Sequence, residues 1–207
     1  MITAMRSITM LNPFLRLISA LSLLIMLSML SCAPPRTASP DRALARKPKP
    51  VIAADMLAKR IHNLINRERA NQGLSPLSWD NALSRIARGH SRDMAVRKYF
   101  SHDSPEGRDF SFRYRQEGYS CAVRTGNTIF TGAENIFQNN LYDSVTTVNG
   151  RAYYDWNSEE RIAETTVRGW MISPGHRKNI LTPHWRNEGI GIFIAPDDKV
   201  FITQNFC

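Results

Sequence analysis

Three side chains able to bind a metal or move a proton, His102, Glu134 and His176, stand in short segments where the backbone, not the side chain, decides where they point. His176 lies in "SPGHRKNIL". Pro174 forces Ser173 out of the helical region, so the helical pattern running back through Val167, Ala163 and Ile162 must stop there. Gly175 frees the turn, and a second apolar run with Ile180 and Leu181 follows, which places His176 at a helix entrance. His102 sits in the turn-forming stretch "FSHDSPEG". Glu134 sits in "TGAENIF", an uncharged and partly apolar segment where a carboxylate needs a partner. Two imidazoles and a carboxylate are a set that binds zinc or a similar divalent ion with room left for water. The same groups also orient one another by hydrogen bonds without a metal. Spacing alone leaves the local readings open: a turn whose histidine packs nearby, and a loop or capping glutamate.

The elements that must position these groups follow from periodicity. Met56, Leu57, Ile61, Leu64 and Ile65 recur at helical spacing from Asp55 to Gln72, with Gly73 as the stop. His62 in this helix reads as a packed or surface histidine. A second helix starting near Asp80 carries Leu83, Ile86, Ala87, His90 and Met94 on one face, so His90 reads first as a core histidine and second as a site residue. A short helical piece, Phe110 to Glu117, closes at Gly118. Residues 138–157 are polar and aromatic with no clear period and read as an ordered surface insertion. Ser158 caps the next helix, with Glu159 and Glu160 in its first turn where negative charge is favoured. Finally "GIGIFIA" and "KVFITQNF" flank Pro196, Asp197 and Asp198, a hairpin signal. Internal repeats, phosphate-binding glycine loops, G-x-S-x-G and H-E-x-x-H are absent from the sequence.

The 207-residue chain has a formal charge of +9, unevenly spread. Residues 1–50 hold seven Lys or Arg against one acid, and the remainder is nearly balanced. The sequence displays no basic stripe interleaved with aromatics and no helix studded with Arg, so nucleic acid is not expected as a partner. Arg6 and Arg16 precede an apolar run from Leu17 to Leu30 that is too short for a comfortable membrane span. The run ends in "MLSC", Met29 to Cys32, which resembles the lipobox of bacterial lipoproteins, with Met29 where Leu is usual. That resemblance implies that residues 1–32 are a signal ending at a lipidated Cys32, which attaches the protein to a membrane. Residues 33–50 hold five prolines and several cations and read as a solvated linker. With Cys32 assigned to lipid, Cys121 and Cys207 remain as an even pair in an oxidising compartment and are expected to form a disulfide; two buried thiols are the alternative.

"FSHDSPEG", "GAENIF", "GWMISPGHRKNIL" and "GIGIF" followed by "FITQNF" occur in a fixed order. Together they resemble the bacterial branch of the CAP superfamily, the SCP-like domains of cysteine-rich secretory proteins, antigen 5 and plant pathogenesis-related proteins. The resemblance implies an α+β fold over residues 51–207: an α-β-α sandwich with a central antiparallel sheet. It also implies a ligand cleft in which His102 and His176 match the two family histidines and Glu134 the first glutamate. The second glutamate's position holds Ser173, and Glu164 two turns earlier is only a weak substitute. His102 and His176, with Glu134, are the expected ligands for a divalent metal such as zinc. The family is mainly known for binding lipids, sterols or protein partners. The expectation is therefore an exported binding or interaction module of the bacterial cell envelope, lipid-anchored, with sorting to an outer membrane compatible with Ala33 and simple secretion the other outcome. A metal-assisted hydrolase of peptide or envelope material, with Glu134 activating water, is the alternative.

Overall fold

A computed structural model describes residues 48–207. The expected signal, Cys32 and the linker as far as residue 47 lie outside the described residues. The first helix, α1 (Ala54–Asn71), buries Leu57, Ala58, Ile61 and Ile65, so the expected stripe holds at Leu57, Ile61 and Ile65, while Leu64 is half-buried and Met56 is turned outward. Asp80 caps α2 (Asn81–Arg97) by accepting from the amides of Ala82 and Leu83. Asp109 caps the short α3 (Phe110–Gln116), and Ser158 caps α4 (Glu159–Ile172). Ser173 ends α4 and Pro174 opens α5 (Pro174–Ile180).

One sheet runs in the order β1 (Ser78–Trp79), β7 (Asn187–Ile194), β8 (Lys199–Phe206), β4 (Ala133–Asn140). The β7–β8 and β8–β4 pairs are antiparallel; the two-residue edge β1 pairs parallel to β7, an exception to the antiparallel expectation that "LSPLSWD" did not announce. Two hairpins stand apart, β2 (Val123–Thr125) with β3 (Thr128–Phe130) and β5 (Tyr142–Val148) with β6 (Arg151–Trp156). Residues 142–156 of the expected ordered surface insertion are thus an antiparallel hairpin, with a register shift between Tyr142 and Ser144. Five consecutive residues of β5 are exposed, so no face is buried deeply enough to impose a hydrophobic alternation.

Alternation along β7 and β8 explains the layers. Ile190, Ile192, Val200, Ile202 and Phe206 face α1 and α4 and form the main core with Leu57, Ile61, Ile162, Val167 and Trp170. The opposite face offers Gly189, Gly191 and Thr203 to α2. Its helix backbone comes so close that a Cβ on Gly191 would lie 1.9 Å from the Arg88 amide nitrogen. Ser84 and Ser91 donate to the carbonyls of Ile190 and Gly191 at 2.8 and 2.9 Å, and Ser91 also shares a hydrogen bond with Thr203. At the chain end Cys207 is bonded to Cys121, with Cα atoms 5.6 Å apart, so the last residue of the ladder is tied to the segment after α3. The core clusters close among residues 52–207, so this portion contains the burial that a folded domain requires.

One expectation fails on α2. Arg85, Arg88, Arg92 and Arg97 are all exposed on this helix, and the first three line a groove with Lys59 and Trp79. The protein does have an arginine-rich helix beside an aromatic; buried Ile86, Ala87, His90, Ser91 and Met94 interrupt the run and hide it in the linear sequence.

The close contact of α2 with β7 makes a direct prediction. Gly191→Ala should destabilise the fold by about 3 kcal/mol through overpacking against main chain that cannot rotate away. Urea unfolding of the variant beside the wild type measures the difference.

Candidate functional site

Glu134 lies at the start of β4, the sheet's edge strand, and its side chain points to the α2 face. Gly132 makes the approach. Its φ of 113° is one that side-chain-bearing residues rarely adopt, and a Cβ there would meet Tyr114 at 2.8 Å and the Phe206 carbonyl at 3.0 Å. Glu134 is therefore a strand residue, neither a loop nor a capping one, and it is 4% exposed. A carboxylate so enclosed needs compensation. His102 Nδ1 donates to Oε1 at 3.0 Å, and Arg113 Nη2 donates to Oε2 at 2.7 Å.

The same two neighbours fix the loop between α2 and α3. Arg113 also donates to the carbonyls of His102, at 3.0 Å, and of Arg108, at 2.9 Å. His90, on α2, lies 3.8 Å from Glu134 Oε1 and donates through Nε2 to the Ser101 carbonyl at 3.0 Å. The second reading of His90, as a site residue, therefore holds alongside the first, because it is buried and still positions the residue preceding His102. Burial holds its imidazole below the ordinary pKa of 6.5; Glu134 opposes this and Arg113 reinforces it. Behind these groups a cavity of about 220 Å³ is lined by His90, Arg113, Asp93 and Phe112 among others.

His176 enters from the other side of the β4 edge, on α5. Its ring centroid lies 6.3 Å from that of His102. Burial, and then the neighbouring His102, lower the His176 pKa, which favours the neutral ring. A polar ladder anchors α5 to the sheet. Asn179 donates to the Glu134 carbonyl and to Asn135 Oδ1, and Asn135 donates to the His176 carbonyl and to Gln204. Gln204 then donates to the fully buried Glu188, whose other oxygen meets His62 Nδ1 at 2.5 Å. His62 is thus a hydrogen-bond partner of a buried carboxylate, a role beyond simple packing.

His102, Glu134 and His176 therefore meet at one sheet edge. Ser173 stands three residues before His176 at the α4–α5 junction, and its side chain makes no hydrogen bond among the described residues. Glu164 is exposed on α4 and does not replace the missing carboxylate. The residue that the sequence reading missed is Arg113. Its only advance signal was a cation amid the aromatics of "FSFRYR". As to a metal, both Glu134 oxygens already have partners. His102 spends Nδ1 on the carboxylate and keeps Nε2 free, which is the arrangement of a histidine oriented by an acid behind it. Among the described residues no group of three or more His, Cys, Asp or Glu is spaced as a ligand set. The donors left open are His102 Nε2 and the His176 ring, with the Glu134 oxygens accepting from His102 and Arg113.

Two measurements follow. Arg113→Met leaves a buried carboxylate without its cation and should cost about 3–5 kcal/mol, much of it regained in the Arg113→Met, Glu134→Gln double variant; urea titration of the four species gives the cycle. The second concerns pH. His90 and His176 titrate below 6.5 when folded, so the unfolded chain binds more protons as pH falls below that value. Their contribution is complete above about 6.5 and is lost as pH falls through their folded pKa values. Denaturation midpoints should thus drop between pH 7.5 and 5, and drop less in His90→Gln.

A family model described as the cysteine-rich secretory protein family, CAP, matches residues 62–206. Two proteins of Bacillus subtilis (strain 168), "Uncharacterized protein YkwD" and "Uncharacterized membrane protein YlbC", are each 32% identical to this chain, over 158 and 148 residues. The matches cover 76% and 72% of this chain but 49% and 33% of those proteins, so the chain spans about half the length of one and a third of the other. Among solved structures, an extracellular protein containing a SCP domain from Bacillus anthracis str. Ames is 27% identical with a TM-score of 0.53, over 76% of this chain and 44% of that one. An outer surface protein of Borrelia burgdorferi shares the fold at 14% identity and a TM-score of 0.54, over 75% of this chain and 94% of that one. With the sheet-edge cleft, the two histidines and the buried glutamate in the matched region, the chain belongs to the CAP, or cysteine-rich secretory protein, family.

Proposed function

We propose that this CAP domain is an exported binding module of the bacterial envelope, held to a membrane through a lipidated Cys32, whose cleft presents the free Nε2 of His102 and the neutral ring of His176 to a small ligand. The observation that carries this reading is the state of Glu134: it is buried and both oxygens are committed, to His102 and to Arg113. A carboxylate that is 4% exposed and accepts from an imidazole on one oxygen and a guanidinium on the other positions a histidine and presents little surface to a water, which favours binding over a hydrolase. Export is supported by the signal-like leader and the Cys121–Cys207 bond, and by the likeness to an extracellular SCP-domain protein. The ligand classes that suit two imidazoles are a divalent ion such as zinc or the polar group of a lipid, sterol or other small molecule. When bound, a zinc ion would supply a Lewis-acidic centre held by the two histidines.

Calorimetric titration with zinc chloride tests the cleft. Wild type should bind with modest affinity, and His102→Ala and His176→Ala should each lose on the order of tenfold or more, the scale seen when a metal site's donor shell is disturbed. Binding should also weaken as pH falls below about 6.5, since the ligands must be neutral. Equal affinity in all three proteins would remove the metal from this cleft.

A further inference from the structure

A second concave surface lies away from the histidine cleft, between α1, β1 and α2. Arg85, Arg88 and Arg92 are spaced three and four residues apart on α2, so their side chains share one exposed stripe. Lys59 comes from α1 and Trp79 from β1, and together these residues line a groove of about 620 Å³. The Lys59 ammonium sits 3.5 Å from the centre of the Trp79 ring, and the Trp79 indole is itself held by Asn81 Oδ1 at 2.9 Å. Four cations face this space. One acid, Asp55, stands on its rim and is paired with Arg88. Arg85 and Arg92 make no hydrogen bond or ion pair among the described residues. A groove so charged holds an excess of positive potential that an anionic ligand would offset.

From this geometry we propose that the groove binds phosphate groups presented by lipid headgroups at a membrane surface. Guanidinium pairs fit phosphate oxygens in a bidentate manner, and the cations come from two elements around a hollow instead of a single ridge. The surroundings favour lipid over free phosphate. Met56 follows Asp55 in the first turn of α1 and Val51 lies on the segment leading into that helix; they are 61% and 99% exposed. These apolar side chains and a tryptophan beside a cation cluster match the mixed chemistry of a headgroup layer. Partial burial also lowers the Lys59 pKa, with Asp55 opposing. The proposal does not depend on the histidine cleft or on its ligand.

The test uses residues 48–207, in which the core clusters close, floated with vesicles of phosphatidylcholine alone or mixed with phosphatidylglycerol. Wild type should float with the anionic vesicles, weaken steeply with salt, and ignore the neutral ones. Arg85→Ser with Arg92→Ser should lower that binding about 25-fold, at roughly fivefold per cation. Both arginines are exposed, and an unchanged melting temperature will show that the fold is intact. Pyrophosphate should compete with the anionic vesicles. Equal flotation with both vesicles, or no loss in the double variant, would overturn the proposal. So would binding of pyrophosphate, or of a DNA duplex, without any binding of anionic vesicles.

Discussion

The arrangement of this domain's cleft depends on a single electrostatic constraint: the Glu134 carboxylate lies 4% exposed at the edge of a sheet and must be compensated from within the protein. An uncompensated buried carboxylate would either take up a proton or unfold its surroundings. Two groups supply the remedy directly, His102 from the loop after α2 and Arg113 from α3, while His90 on α2 holds that loop through the Ser101 carbonyl, so compensating one charge also fixes the relative positions of three elements. Arg113 goes further, because its hydrogen bonds to the carbonyls of His102 and Arg108 hold the loop in the shape that delivers the imidazole.

Packing supports this geometry from both faces. On one, Gly189 and Gly191 let α2 lie directly on the strand backbone, which leaves His90 little freedom to move away from Glu134. On the other, the ladder from Asn179 through Asn135 and Gln204 to Glu188 and His62 binds α5, β4, β8, β7 and α1 into one polar chain. Buried polar groups that are satisfied along such a chain resist displacement, because moving one leaves its neighbours unpaired. His176 is carried on the helix at the end of that chain and so is set relative to β4 by interior bonds. Cys207, tied to Cys121, closes the strand that holds Gln204.

Much of this was legible in the sequence. Most of the stripes of α1 and α2, the helix start near Asp80, the cap at Ser158, the break at Pro174 and the β7–β8 hairpin follow from local signals, and the motif order brought His102, Glu134 and His176 together. What escaped has a common cause: it depends on residues distant in sequence. Arg113 finds Glu134 across a separation of 21 residues, and Lys59 and Trp79 reach the α2 arginines only when α1 and β1 fold beside them. The β5–β6 hairpin escaped for another reason, since a ribbon exposed along most of its length imposes no pattern on its residues.

If Glu134 serves to hold a histidine, its mark must appear on the His102 ring. A carboxylate accepting from Nδ1 selects the tautomer with the proton there and leaves Nε2 as the free acceptor facing the cleft. Nitrogen NMR of ¹⁵N-histidine-labelled protein at neutral pH, with His102→Ala to assign the signals, reads this directly. The account predicts His102 in the Nδ1–H form, reverting toward the Nε2–H form in Glu134→Gln. A wild-type His102 protonated on Nε2 and free at Nδ1 would contradict it.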